Sequence, residues 1–237
     1  GLPDHVPGTT VDRQCGSSQQ AVHFAAQAVM SGTSELVVAG GVQHMSTIPI
    51  SSAMLVGEQF GYPDPFSGSK GWQERYGNQE VSQFRSAQMI ADRWECGRDD
   101  MEAFAVESHE RAIRAWAEGR FDGEVAPVGD FARDEGPREP NWDKIRSLSP
   151  LEEGGTVTAA LASQISDASA ALLIASERAV ADHDLVPRAR IHHLSVLGDD
   201  PVWMLTAPIP ATRRALEKAG MAMDDIDLVE INEAFAS

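Results

Sequence analysis

Cys15 lies among residue types that could make it a nucleophile, in Thr10-Val11-Asp12-Arg13-Gln14-Cys15-Gly16-Ser17-Ser18-Gln19-Gln20. A β-branched stretch leads in, and small polar residues then open a helical pattern. A helix N-terminus presents unpaired N–H groups and a partial positive charge, and both favour thiolate over thiol. Gly16, without a Cβ, lets an acyl group approach the sulfur closely. A cysteine so placed could hold that group as a thioester. On position alone a plainer reading stays open, because most free cysteines are small, buried and inert. Cys96, the other cysteine, reads as structural.

The elements that must position Cys15 can be read from periodicity. Residues 17–31 form a helix with Ala21, Val22, Ala25, Ala28 and Val29 on one face, stopped by Gly32. Residues 35–41, ELVVAGG, are a continuous apolar run and read as a buried, parallel strand. With the stretch arriving at Cys15 this makes a βαβ unit. Over 47–77 the texture changes: Pro49, Pro63 and Pro65 mix with Gly57, Gly61, Gly68 and Gly71 and with Phe60, Tyr62, Phe66 and Trp72. An irregular segment of that length usually covers a site. Residues 79–95 read as a helix with Val81, Phe84, Met89, Ile90 and Trp94 inward. Asp99 and Glu102 have capping-box spacing for a helix to 118, closed by Gly119.

Beyond it, 121–128 reads as a short strand and 133–150 as a polar loop with at most a short helix. Residues 155–160 read as a strand or extended turn, 168–175 (ASAALLIA) as a second buried strand, and 176–183 as a short helix. Residues 188–197 are strand-like, 209–219 are helical with Gly220 behind, and 227–231 form a strand running into Asn232-Glu233-Ala234-Phe235-Ala236-Ser237. Alternating strands and helices give an α/β class with a largely parallel sheet. A helix-rich insertion over about 47–165 interrupts it.

Composition excludes some partners. Apolar residues make up 42%, enough for a core. The formal charge is 19 − 36 = −17, which opposes nucleic acid and anionic membranes, since both need a basic footprint. Two distant cysteines fit a reducing, cytoplasmic setting. No apolar run reaches the length of a membrane span, and the N-terminal residues lack the pattern of a signal peptide. His44, His109, His183, His192 and His193 share no ligand spacing, so no metal is expected.

Taken in order, these stretches resemble the thiolase family, the acyl-CoA acetyltransferases. Val11-Asp12-Arg13-Gln14-Cys15-Gly16-Ser17-Ser18 is similar to the nucleophile motif, with Asp and the second Ser for the usual Asn and Gly. Gly40-Gly41-Val42-Gln43-His44-Met45-Ser46 resembles the glycine pair and "ESMS" stretch that follow. Asp134-Glu135-Gly136-Pro137-Arg138, Gly155-Thr156-Val157-Thr158-Ala159 and Ser163-Gln164-Ile165-Ser166-Asp167 match the inserted lobe and the return to the sheet. Asp225-Ile226-Asp227-Leu228-Val229-Glu230-Ile231-Asn232-Glu233-Ala234-Phe235-Ala236 matches the "NEAFA" strand end. The wording is closest to thiolases of bacterial lipid and steroid catabolism.

The resemblance implies a layered αβαβα fold, truncated at both ends, with an inserted helix-rich loop domain. Its parts would be 1–46 and 166–187 for the N-terminal domain, 47–165 for the insertion that binds CoA, and 188–237 for the start of the C-terminal domain. It implies that Cys15 takes the acyl group of a 3-ketoacyl-CoA, which CoA then removes, or the reverse Claisen condensation. Asn232 matches the asparagine that holds a water in an oxyanion hole. Arg138, Ser163, Met204 and Phe235 match CoA- and acyl-contacting positions. Out of context, Asn232 reads equally as a strand-end cap, Arg138 as a surface ion pair, and Met204 and Phe235 as core.

Coenzyme A would be a substrate, no cofactor is implied, and the assembly would be a homodimer or homotetramer. Arg75 and Tyr76 stand where short-chain thiolases carry a His-Met pair, which favours a bulkier acyl group. The family's "GHP" histidine, its general base, and its "CxGGG" second cysteine do not occur among the 237 residues. The chain is therefore expected to be an internal fragment, with exposed sheet strands, poor stability and little or no turnover alone. A β-ketoacyl synthase-like condensing enzyme and a non-catalytic CoA- or lipid-binding relative are the alternatives.

Overall fold

Residues 2–62, 65–66 and 68–237 are described by a computed structural model, so Pro63 of the proline-rich stretch lies outside the described residues. In chain order the elements are α1 (Ser17–Met30), β1 (Leu36–His44), α2 (Ser52–Leu55), α3 (Lys70–Tyr76), α4 (Gln83–Arg93), α5 (Arg98–Ala117), α6 (Trp142–Ser147), β2 (Asp167–Ala175), α7 (Glu177–Asp182) and α8 (Pro208–Ala219). They fall into two compact units. The first is Gly1–Pro49 with Ser166–Ser195, the second Ile50–Ile165 with Val196–Ser237.

In the first unit β1 and β2 pair over their whole length, from Leu36 opposite Ala175 to His44 opposite Asp167. The pairing is antiparallel, which corrects the expectation of a parallel strand. α1 covers one face, burying Gln20, His23, Ala25 and Ala26 of its own and Ala39 of β1. Small residues let it settle closely: a Cβ on Gly41 would stand 3.0 Å from Ser18 Oγ, and one on Gly40 would stand 2.9 Å from the Ala170 carbonyl oxygen. The opposite face carries exposed Val38, Val42 and Leu173, with Val42 81% exposed. The apolar run thus packs on one side, where the sequence pattern suggested two. Ser176 caps α7 by accepting from Ala179 N–H at 3.0 Å.

No strand precedes Cys15 among the described residues, so the βαβ expectation does not hold. Polar side chains capture the backbone there instead, and such local hydrogen bonds compete with a ladder. Asp12 and Ser17 take the N–H groups of Gln14 and Arg13.

The second unit is built on α4 and α5. Its core joins Ala87, Ala91, Met101, Val157 and Leu161, with Cys96, Ala105, Leu205, Phe235 and Ala236 packed against it. The inward face of α4 is therefore the small one, Ser86, Ala87 and Ala91; Phe84 and Trp94 stay largely exposed. Gln88 on the same helix accepts from the N–H groups of Thr156 (2.8 Å) and Val157 (3.0 Å), which seats that extended segment on the core.

The capping box is corrected as well. Gly97 is the N-cap of α5, and Glu102 turns inward to pair with Arg98 (Nε to Oε1, 2.8 Å). Arg98 Nη2 also donates to the carbonyls of Arg146 and Leu148, 3.1 and 2.9 Å away, tying the end of α6 to the start of α5.

Stretches 121–128, 188–197 and 227–231 form no strands among the described residues. The first closes into turns, with Glu124 and Val125 donating to the Phe121 carbonyl. The other two have no ladder partner among the described residues, and an extended segment becomes a strand only when a neighbour takes its backbone groups. Among its described residues the 47–77 stretch holds the short helices α2 and α3 and a 3₁₀ turn at Glu58–Phe60. No described helix is long and apolar enough to cross a membrane.

Candidate active site

The backbone around Cys15 is held as one tight turn. Gln14 N–H donates to Asp12 Oδ1 (2.8 Å), Arg13 N–H donates to Ser17 Oγ (2.8 Å), and that hydroxyl donates to the Gln14 carbonyl (2.7 Å). Arg13 Nη1 reaches forward to Gln20 Oε1 at 3.0 Å, fastening the turn to α1. Gln14 sits at φ 51°, the left-handed region, at a cost of about 1–3 kcal/mol that its neighbours must hold in place. Cys15 lies within the 3₁₀ turn Gln14–Gly16, two residues before the first residue of α1. Gly16, the N-cap of α1, supplies no side-chain acceptor, so the positive end of the helix faces the turn unquenched by a cap. Within its unit Cys15 is exposed, which removes the buried-hydrophobe reading. Cys96 packs against the core of the second unit, as a structural cysteine does.

At the far end of β1 three residues with hydrolase-like chemistry meet. Ser46 donates its N–H to Asp167 Oδ1 (2.9 Å) and its hydroxyl to Asp167 Oδ2, while His44 Nε2 lies 3.5 Å from the same Oδ2. They do not form a nucleophilic triad, because the serine proton goes straight to the carboxylate and the imidazole does not stand between them. The cluster is a clamp that closes the end of the β1–β2 ladder. The Ser46 hydroxyl first, and the Ser46 N–H next, hold the Asp167 carboxyl below its usual value of 3.8.

A depressed carboxyl stabilises the fold above its unfolded pKa and loses that contribution as pH falls through its folded value. The stability difference between the native chain and Asp167→Asn should therefore be full at pH 6 and shrink below about pH 3.8. Urea unfolding at both ends of that range measures it. A difference of equal size at pH 3 and pH 6 would contradict the clamp.

In the second unit three of the remaining candidates, Ser163, Asn232 and Phe235, lie at or beside one short ladder. Ser163 N–H donates to the Ala234 carbonyl and Ala236 N–H to the Leu161 carbonyl, both at 2.9 Å, with Ala162 bridged to Phe235. This antiparallel pairing places Ser163, Phe235 and Asn232 on adjoining segments. Phe235 packs edge-on against Phe84 at 5.9 Å between ring centroids and joins the core. Asn232 is exposed and its carbonyl accepts from Ala234 N–H (3.0 Å), so it occupies a turn rather than a strand end. Ser108 of α5 donates to Glu233 Oε2 (2.7 Å), anchoring the residue beside Asn232. Met204 sits at φ 51° in a loop that Asp200 organises by accepting from the N–H groups of Val202 and Trp203.

Arg138 is not in an ion pair with its acidic neighbours among the described residues. Its Nη1 donates to Gln164 Oε1 (2.6 Å) and its backbone N–H donates to His109 Nδ1 (3.4 Å). Burial first, and the Arg138 charge second, hold His109 below the usual imidazole range. Neither Gln164 nor His109 stood out as a site residue in the sequence. Gln164 lies inside a motif-bearing stretch, but its partner is distant in the chain, and His109 shares no ligand spacing with the other histidines. Among the described residues no group of three His, Cys, Asp or Glu is placed to hold a metal.

Comparison with known proteins supplies further findings. The family model described as "Thiolase, N-terminal domain" matches residues 1–178, and that described as "Thiolase, C-terminal domain" matches 185–237. The chain is 61% identical over 240 residues to a steroid 3-ketoacyl-CoA thiolase of Mycobacterium tuberculosis, covering 100% of this chain and 59% of that protein. It is 35% identical to a 3-oxoadipyl-CoA/3-oxo-5,6-dehydrosuberyl-CoA thiolase of Escherichia coli, covering 63% of it. Human mitochondrial 3-ketoacyl-CoA thiolase superposes with a TM-score of 0.83 at 30% identity, over 100% of this chain and 62% of that one. Bacillus anthracis acetyl-CoA acetyltransferase superposes at 0.78 with 32% identity, over 99% and 62%. The chain thus spans less than two thirds of the length of these relatives.

Proposed function

We propose, from the premise that this chain belongs to the thiolase family, that the protein carrying it is a 3-ketoacyl-CoA thiolase with Cys15 as its nucleophile. The observation that carries the reading is the held turn at the start of α1, with an exposed cysteine in the family's nucleophile position. The thiolate adds to the C3 carbonyl of a 3-ketoacyl-CoA. The C2–C3 bond then breaks, its electron pair passing to C2 as the enolate of acetyl-CoA, which takes a proton and leaves. The shortened acyl group remains on sulfur until a CoA thiolate attacks it and releases the new acyl-CoA. A covalent intermediate divides one difficult carbon–carbon step into two easier ones. Negative charge develops on the thioester and carbonyl oxygens, where fixed donors act most strongly. The backbone N–H of Cys15 and a water held by Asn232 are read as such donors.

Arg138 is read as the cation for the phosphate-bearing end of CoA, Ser163 as a neighbour of the pantetheine, and Met204 and Phe235 as acyl contacts. For the acyl group we favour a bulky, ring-bearing substrate. Phe66, Trp72 and Tyr76 pack with tilted rings at 4.9 and 4.6 Å between centroids, with Arg75 over Tyr76, and the M. tuberculosis relative at 61% identity is a steroid 3-ketoacyl-CoA thiolase. Residues 47–165 are read as the CoA-binding insertion between the two parts of an N-terminal domain, 1–46 and 166–187, with 188–237 opening the C-terminal domain. The whole protein is read as a cytoplasmic homo-oligomer.

Acylation with paired thioesters separates this reading from a carrier-protein condensing enzyme. A 3-ketoacyl-CoA should acylate a protein spanning the full length of these relatives at least tenfold faster than the same acyl group on acyl-carrier protein, or about 1.4 kcal/mol in barrier. The reverse preference would overturn it.

A further inference from the structure

We propose that Gln164 is a positioning residue for Arg138, holding its guanidinium ready for the phosphate-bearing end of an acyl-CoA. The inference rests on the reading of Arg138 as the CoA cation. Gln164 uses both ends of its amide on one segment. Its Oε1 accepts from Arg138 Nη1 (2.6 Å), and its Nε2 donates to the Gly136 carbonyl (2.9 Å). A guanidinium only donates and a carbonyl only accepts, so these two partners fix which way the amide faces.

Gly136 is fitted to this contact: a Cβ there would stand 3.4 Å from Gln164 Nε2 and 3.1 Å from Asp134 Oδ1. Asp134 Oδ1 in turn accepts from Gly136 N–H (2.8 Å), folding the segment toward the amide. The other end of Arg138, its backbone N–H, is taken by His109 from α5. Both ends of an exposed arginine are thus fixed by hydrogen bonds rather than by packing.

A guanidinium has five N–H donors in a rigid plane, and Gln164 takes from Nη1 alone. Among the described residues the rest of the fork has no hydrogen-bond partner and can meet an anion, in an orientation already set. An unrestrained arginine loses several side-chain rotations when it binds phosphate, and a held one loses fewer. A chain of formal charge −17 has particular need of a fixed local cation if it is to bind an anion.

The test is a double-mutant cycle on CoA binding by a protein spanning the full length of the thiolases this chain matches, read by calorimetry. Arg138→Ala, Gln164→Met and the double variant are compared with the native chain, and thermal melts confirm folding. Methionine keeps the length of glutamine and removes both polar ends. Gln164→Met should weaken CoA binding about fivefold. The double variant should bind no more weakly than Arg138→Ala alone, because Gln164 acts only through the arginine.

Native affinity in Gln164→Met beside a weakened Arg138→Ala would overturn the inference and leave the Arg138 reading standing. A further fivefold loss when Gln164→Met is added to Arg138→Ala would also overturn it. Unchanged affinity in Arg138→Ala, beside measurable CoA binding by the native full-length protein, would overturn the Arg138 reading itself. If Gln164→Met does not fold, Gln164→Glu serves instead: its carboxylate competes with phosphate for the guanidinium, and affinity unchanged from native would be the overturning result.

Discussion

Replacing Cys15 with alanine should lower thiolysis of a 3-ketoacyl-CoA by at least about a thousandfold, the scale of loss when a covalent nucleophile is deleted. The assay is steady-state thiolysis by a protein spanning the full length of the thiolases this chain matches. The size follows from the role: without the sulfur there is no atom to hold the acyl group between carbon–carbon cleavage and release. The effect should also be specific. Cys96 packs against the core cluster of the second unit, so Cys96→Ala should keep thiolysis within about threefold of native and show its cost in stability instead. Equal losses in the two variants would contradict the assignment.

The second large effect concerns stability. Glu102 is 1% exposed and its charge is answered by Arg98, which also holds the carbonyls at the end of α6. Arg98→Met leaves a carboxylate buried without its partner and removes the donor from two carbonyls. Breaking a buried pair from one side typically costs 3–5 kcal/mol. Arg98 is itself 27% exposed, so water screens the pair and about 3 kcal/mol is expected. For a chain of this size that lowers the melting temperature by about 6–12 °C.

The double variant Arg98→Met with Glu102→Met should recover part of the loss, because it removes the stranded charge as well as its partner. A double variant less stable than Arg98→Met would mean that Glu102 contributes through packing alone.

These cases show which parts were legible in the sequence. The start of α1 behind Cys15 was, because small polar residues open its helical pattern, but the turn before it was not: Asp12, Arg13, Gln14 and Ser17 hydrogen-bond to one another where the β-branched lead suggested a strand. The helices α1, α4, α5 and α8 were legible because apolar spacing and glycine stops mark them, as Gly220 at φ 68° does behind α8. The direction of β1 was not. An apolar run such as ELVVAGG looks the same whichever way its partner lies, and β2 comes from beyond the helix-rich stretch to pair antiparallel. Glu102 was misread as half of a capping box because Arg98 offers a charge–charge contact that the spacing rule does not weigh.

In the second unit the motif residues were legible one by one but not their arrangement. Ser163, Asn232 and Phe235 were picked out by motif, while the ladder joining 161–163 to 234–236 depends on a pairing of distant segments. The same holds for Gln164 and His109, whose bonds to Arg138 span 26 and 29 residues. Glycines 40 and 41 are an intermediate case. Their presence was legible, while their reason, the close approach of Ala170 and Ser18, required the fold.

The central claim, that Cys15 carries the acyl group, is tested most directly by trapping the intermediate. A protein spanning the full length of its thiolase relatives is incubated with an acyl-CoA, quenched in acid, digested and analysed by mass spectrometry. The account expects one acyl group on the peptide bearing Cys15, released by hydroxylamine as a thioester should be, and none on the peptide bearing Cys96. An unmodified Cys15 peptide, or equal labelling of both cysteines, would contradict it.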